Sequence, residues 1–148
     1  MNVTLTLNGD NQTVTVEPDE MLMAVLRRLG LRSVRETCGI GVCGSCTVLV
    51  DGRPVSGCLM LAPLVDGSIV VTAEGLADDP VVAAFAHTHA YQCGWCTPGF
   101  VVAVRGLLDE NPTPSASETK EALAGNLCRC GSYLKILDAV GQASVVAP

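Results

Sequence analysis

Apolar and polar residues alternate from the start of the chain. Val3, Leu5 and Leu7 interleave with Thr4, Thr6 and Asn8, and after Asn8, Gly9 and Asp10 the alternation resumes at Val14 and Val16. A period of two interrupted by turn residues predicts a β-hairpin with one buried face. The period then lengthens: Leu22, Val25, Leu26 and Leu29 fall at i, i+3, i+4 and i+7, predicting a helix opened by Pro18, Asp19 and Glu20 and closed by Gly30. After a glycine-rich stretch come TVLV, a tight turn at Asp51 and Gly52, a return strand to Ser56, and SIVVT at 68–72. Strands packed around one helix make this half an α+β unit.

The segment EGLADDP, residues 74–80, reads as a linker, and beyond it the period becomes 3.6. Phe100, Ala103, Val104, Leu107 and Leu108 mark one helix, and Tyr133, Ile136, Leu137 and Val140 another. Between them NPTPSAS is a loop, and Ser115 with Glu118 has capping-box spacing for a short third helix. The breaker-free stretch 81–91 supplies a fourth. Four short amphipathic helices predict a small bundle, so the expected division is residues 1–75 and 76–148.

Composition narrows the picture. Of 148 residues, 49% are apolar and 16% charged, which excludes disorder, while 3% aromatics leave a core of Val, Leu and Ala. A core of that kind gains from a cofactor staple. A net charge of -6 provides no basic stripe for nucleic acid. No apolar run reaches the roughly 20 residues of a membrane helix. The start MNVTLTLNGDNQ lacks signal-peptide features, so a cytoplasmic location is expected unless a partner subunit carries the chain out. Arg27 and Arg28 read as a solvated helix face. Eight cysteines in such a chain predict metal ligands rather than disulfides.

Each half carries four of them. Cys38, Cys43, Cys46 and Cys58 are spaced C-x4-C-x2-C-x11-C, the first three matching the plant-type [2Fe-2S] spacing. A two-iron rhomb takes two thiolates per iron, and Gly39, Gly41 and Gly44 allow a loop to bring backbone N–H groups close to its sulfides. Zinc normally takes two short C-x2-C clips, and this half has one, at Cys43 and Cys46. Cys93, Cys96, Cys128 and Cys130, in QCGWCTPG and NLCRCG, form C-x2-C and C-x-C pairs at predicted helix starts, where the helix dipole favours thiolates. Their spacing alone is compatible with zinc or with [2Fe-2S].

The segments ETCGIGVCGSCTVLVDGRPVSGCL, EGLA, QCGWCTPGF and GNLCRCGSYLKI, in that order and over nearly the whole chain, resemble the iron-sulfur subunit of the molybdenum hydroxylases. That family includes xanthine dehydrogenase, aldehyde oxidoreductase and aerobic carbon monoxide dehydrogenase. The resemblance implies an α+β chain, a plant-type ferredoxin-like (β-grasp) domain followed by a four-helix-bundle-like domain, with two [2Fe-2S] clusters held by the eight cysteines. It implies an electron relay from a molybdopterin centre on a large subunit to an acceptor, commonly FAD on a medium subunit. Gln92 and Cys130 are then the positions expected beside the pterin. One departure stands out: the family usually has Thr-Gly after the final cysteine, and here Gly131 and Ser132 stand there.

Other residues attract plainer readings. His87 and His89 read as helix-surface or packing residues, since eight cysteines already satisfy two clusters. Trp95 is a candidate cluster shield or partner contact and, as the only tryptophan, equally a core candidate. Arg129 is either a counter-charge to a cluster or a solvated arginine. Met21, Met23 and Met60 read as core filler. Two rival functions are a stand-alone two-cluster ferredoxin and a zinc-binding adaptor. With no substrate pocket and no G-x-G-x-x-G fingerprint expected on this chain, it reads as a subunit of an oxidoreductase rather than an enzyme alone.

Overall fold

The computed structural model describes residues 1–146. The hairpin is β1 (Asn2–Leu7) and β2 (Asp10–Thr15), antiparallel, with Leu7 opposite Asp10. A second hairpin, β3 (Thr47–Val50) and β4 (Arg53–Ser56), turns at Asp51 and Gly52. Strand β5 (Ile69–Val71) joins them, parallel to β1 and antiparallel to β3, giving the order β2-β1-β5-β3-β4. Helix α1 (Leu22–Arg28) buries Leu22, Met23, Val25 and Leu26 in one core with Val3, Leu5, Val14, Val48 and Val70 of the sheet. A sheet folded around one helix is the expected β-grasp arrangement.

Two helix limits differ from the periodicity, for identifiable reasons. Helix α1 begins at Leu22 rather than at Pro18, because Met21 is held extended in a bridge to Leu61, and the Leu22 N–H donates to the Met60 carbonyl (2.7 Å). Its end matches Gly30 (φ 92): the Gly30 and Leu31 N–H groups donate to the Arg27 and Leu26 carbonyls, a Schellman closure that leaves Leu29 exposed. Helix α2 (Pro80–His87) stops short of Tyr91. His89 takes a left-handed conformation (φ 52), and the Ala90 N–H closes on the Phe85 carbonyl (3.0 Å), so a histidine fills the place glycine usually takes.

Helices α3 (Thr97–Glu110), α4 (Ala116–Ala122) and α5 (Tyr133–Val146) complete the second half. The Ser115–Glu118 capping box is formed at α4. Asp79 caps α2 by accepting from the Val81 N–H (2.8 Å), and its other oxygen lies 3.5 Å from Arg105 of α3. Helix α3 is central, burying Phe100, Val101, Val102, Ala103, Val104 and Leu108 among Phe85, Ile136 and Val140.

Strand β3 faces both cores. Val48 is 0% exposed in the α1 core, and the next residue, Leu49, is 4% exposed in the α3 core. A strand buried on both faces reads as an unbroken apolar run, which is why TVLV lacks polar alternation. The connecting segment is folded too: Ala73–Leu76 forms a 3-10 turn with Leu76 buried against the helices. Among the described residues no helix is long and apolar enough to cross a membrane.

Helix α3 rests on the cysteine loop through Gly99, where an added Cβ would stand 2.2 Å from the Gly44 carbonyl oxygen and 3.3 Å from Ser45 Cα. Helix propensity alone would make Gly99→Ala stabilising by about 1 kcal/mol. Because the obstruction is backbone, we expect a net loss of about 1–3 kcal/mol instead, read as a lowered midpoint in chemical denaturation.

Candidate metal centres

The loop Cys38–Cys46 is shaped by its glycines. Gly39 (φ 68), Gly41 (φ 75) and Gly44 (φ 70) all lie in the left-handed region, which turns successive N–H groups inward as an anion nest. The N–H groups of Ile40, Cys43 and Val42 point at the Cys38 thiol, and led by that of Ile40 they bring it down to about 6. Cys46 and Cys58 lie buried where β3 begins and β4 has just ended. Burial first, then the neighbouring Cys58 thiol, pushes Cys46 up to about 11. At neutral pH a sulfur in that position becomes a thiolate by binding a metal cation.

The second set repeats this logic on helix starts. Cys96 immediately precedes α3, and burial with the adjacent Cys128 thiol pushes it up to about 12. Cys93 is exposed and shifted down, first by the Trp95 N–H and then by the Cys130 thiol. Burial alone would raise Cys128, but the Ser132 N–H, 3.4 Å from its sulfur, and the Cys96 thiol carry the net shift downward. The Cys128 N–H donates to the Tyr133 hydroxyl (2.8 Å), and Gln92 Nε2 donates to the Cys130 carbonyl (3.1 Å).

In both sets the thiols stand as neighbouring pairs, Cys38 with Cys43, Cys46 with Cys58, Cys93 with Cys130 and Cys96 with Cys128. Pairs suit a rhomb with two thiolates per iron. N–H groups aimed at sulfur suit a cluster's negative charge. The donor chemistry therefore fits [2Fe-2S] at both places.

The two sets adjoin. Cys43 of the first and Cys93, Cys96 and Cys128 of the second line a single cavity of about 350 Å³ together with Trp95 and Arg129. The Leu127 N–H donates to the Cys43 carbonyl (2.9 Å), and Asn126 Nδ2 donates to the Gly44 carbonyl (3.1 Å) and to Thr47 Oγ1 (3.2 Å). Trp95 is no core residue: half exposed, it donates from Nε1 to Thr37 Oγ1 (2.9 Å) while the Arg35 guanidinium lies 4.5 Å from its ring centroid. Arg35, Thr37 and Asn126 were absent from the sequence-based candidates, although Thr37 stands directly before Cys38 in ETCGIGVCGSC and Asn126 stands inside GNLCRCG. His87 and His89 are exposed and join neither set. Met23 is buried as core, while Met21 and Met60 are half-buried.

A family model described as a 2Fe-2S iron-sulfur cluster binding domain matches residues 5–69, and one described as a [2Fe-2S] binding domain matches residues 72–141. The chain is 43% identical to the nicotinate dehydrogenase small FeS subunit of Eubacterium barkeri, over 97% of this chain and 94% of that protein. Among solved structures, quinoline 2-oxidoreductase from Pseudomonas putida 86 superposes with a TM-score of 0.92 at 41% identity, covering 98% of this chain and 93% of that one. The chain belongs to the iron-sulfur subunits of the molybdenum hydroxylases. The aldehyde oxidoreductase of Desulfovibrio desulfuricans also superposes, with a TM-score of 0.93 at 39% identity, the match covering 98% of this chain but 17% of that much longer one. This iron-sulfur subunit thus carries two [2Fe-2S] clusters, one for each matched domain.

Anaerobic reconstitution should accordingly give four irons and four acid-labile sulfides per chain, two of each per matched domain; stoichiometric zinc without sulfide would contradict this. Gly44→Ala places a Cβ 2.4 Å from Asn126 Nδ2 and 2.6 Å from the Gly125 carbonyl in a left-handed backbone. We expect that variant to lose the first cluster, halving its iron and removing one of two reduced spin-resonance signals.

Proposed function

We propose that this iron-sulfur subunit relays electrons from a molybdopterin centre on a larger partner subunit, through its two clusters, to an acceptor such as FAD on a further subunit. Residues 1–75 form the ferredoxin-like domain holding the first cluster by Cys38, Cys43, Cys46 and Cys58. Residues 76–148, the last two of which lie outside the described residues, are the helical domain in this reading, holding the second by Cys93, Cys96, Cys128 and Cys130. Each bound [2Fe-2S] cluster supplies a site that takes up and gives back one electron. The substrate-converting site lies on the partner, and a cytoplasmic location is the simplest reading of the chain.

One observation carries this reading: Cys43 of the first set and three thiols of the second line the same cavity, and the Leu127 N–H, one residue from Cys128, donates to the Cys43 carbonyl. That is a short protein connection between the two sets, of the kind a serial relay needs. Gln92 and Cys130 face the partner's pterin in this scheme, and the bond from Gln92 to the Cys130 carbonyl fixes the amide against that ligand. Exposed apolar side chains stand near them in sequence, alongside the exposed Arg129. Leu127, Leu134, Tyr133 and Tyr91 are exposed, and Leu127, Tyr133 and Leu134 also line an apolar groove of about 380 Å³ between α4 and α5. An exposed apolar face beside the inner centre supports the docking of a larger subunit there.

Rapid mixing of the intact complex with substrate tests the order. With Cys130→Ser, molybdenum should remain reduced after one turnover and neither cluster signal should develop at the normal rate. With Cys43→Ser, substrate should still reduce the second cluster while delivery to the acceptor collapses. Normal acceptor reduction by the Cys43 variant would place the first cluster off the path. Isolation of the chain from its source as a free monomer carrying both clusters would favour the stand-alone ferredoxin.

A further inference from the structure

Four side-chain polar atoms among the described residues are buried without a hydrogen-bond partner: Arg35 Nε, Arg105 Nε, Thr97 Oγ1 and Ser132 Oγ. The guanidinium of Arg105 is otherwise engaged with Asp79 and Asp109, and that of Arg35 is stacked on Trp95. The two hydroxyls have no such explanation, and both closely follow ligands of the second thiol set in sequence. Thr97 follows Cys96 directly. Ser132 is only 6% exposed, stands two residues after Cys130, and donates its own N–H to Cys128 Sγ.

The position of Ser132 makes its unpaired oxygen unusual. The Ile136 N–H donates to the Ser132 carbonyl (3.0 Å), so Ser132 occupies the N-cap of α5. An N-cap serine ordinarily accepts from an N–H of the first turn, as Ser115 does at α4, yet the Ser132 hydroxyl makes no such bond. A buried hydroxyl left unpaired is costly, and native chains rarely keep one. Beside the first set, by contrast, the buried Thr47 hydroxyl is already committed to the Gly44 carbonyl (2.7 Å).

We propose that the Ser132 and Thr97 hydroxyls donate hydrogen bonds to sulfur atoms of the second [2Fe-2S] cluster, raising its reduction potential selectively. Reduction adds one negative charge, spread over iron and sulfur, and an O–H···S bond strengthens as that charge grows. The reduced form is therefore stabilised more than the oxidised form. Among the described residues the first set has no fully buried, unpartnered hydroxyl beside it, so its cluster is not raised this way. The inference rests on the ligand assignment proposed above for the second set.

The test is a mediated dithionite titration of the full-length reconstituted chain, following both spin-resonance signals, with iron and sulfide measured on each sample. In Ser132→Ala and Thr97→Val, the reduced-to-oxidised ratio of the second cluster at a fixed poise should fall roughly fivefold per hydroxyl removed, with the first signal unmoved. Ser132→Thr, which keeps the hydroxyl, should restore the ratio, and Thr97→Val carries the comparison if Ser132→Ala does not assemble. Full cluster content with an unmoved second midpoint would overturn this inference and leave the ligand assignment standing. Wild-type chain that takes up the first cluster alone would overturn both.

Discussion

The carbonyl of Gly44 is the point on which the rest of the molecule closes. It accepts from the Thr47 backbone and hydroxyl within its own loop and from Asn126 Nδ2 across 82 residues of chain, while Gly99 of α3 packs directly against it. Remove any side of that junction and a buried carbonyl loses its partners, a penalty of about 1–3 kcal/mol before packing is counted. The junction also explains two glycines at once. Gly44 must be left-handed to aim its oxygen outward from the nest, and Gly99 must lack a Cβ to let the helix reach it.

Around this junction the two thiol sets solve the same electrostatic problem by different means. The first wraps its anionic sulfur in N–H groups from a glycine loop; the second uses the starts of two helices and the N–H groups of Trp95 and Ser132. Each set holds a thiol shifted down by backbone N–H groups, Cys38 or Cys93, and one pushed up by burial, Cys46 or Cys96, while the buried Cys128 is carried down by the Ser132 N–H and the Cys96 thiol. Two environments this unlike leave room for two unlike potentials, since hydrogen bonding and exposure both set them.

Local signals were readable because they depend on neighbours in sequence. The Val3–Leu7 alternation, the Asp51–Gly52 turn, the Ser115–Glu118 box and the Gly30 stop are all decided within a few residues, and all are present. What escaped the sequence depends on distant partners. Met21 is pulled out of the helix by Leu61 and Met60, and His89 stops α2 without a glycine to announce it. At the centres, cysteine spacing and loop glycines were legible from chemistry alone. Asn126, Arg35 and Thr37 were not, because their importance lies in contacts across 58 to 82 residues made possible only by α3 docking on the loop. The orphaned Ser132 hydroxyl could only be seen once its helix cap was known to be unmade.

Strand β3 has a further consequence for the spacing of the two centres. Cys46 leads directly into it, and three residues on, Leu49 seats α3, whose first turn follows Cys96. The strand is therefore a ruler of a few residues laid between one ligand of each set. A slip of one residue would shift it by about 3.3 Å and exchange the faces of Val48 and Leu49. Since each of those side chains is matched to a different core, both cores resist the slip together, and the gap an electron must cross is held as firmly as the fold itself.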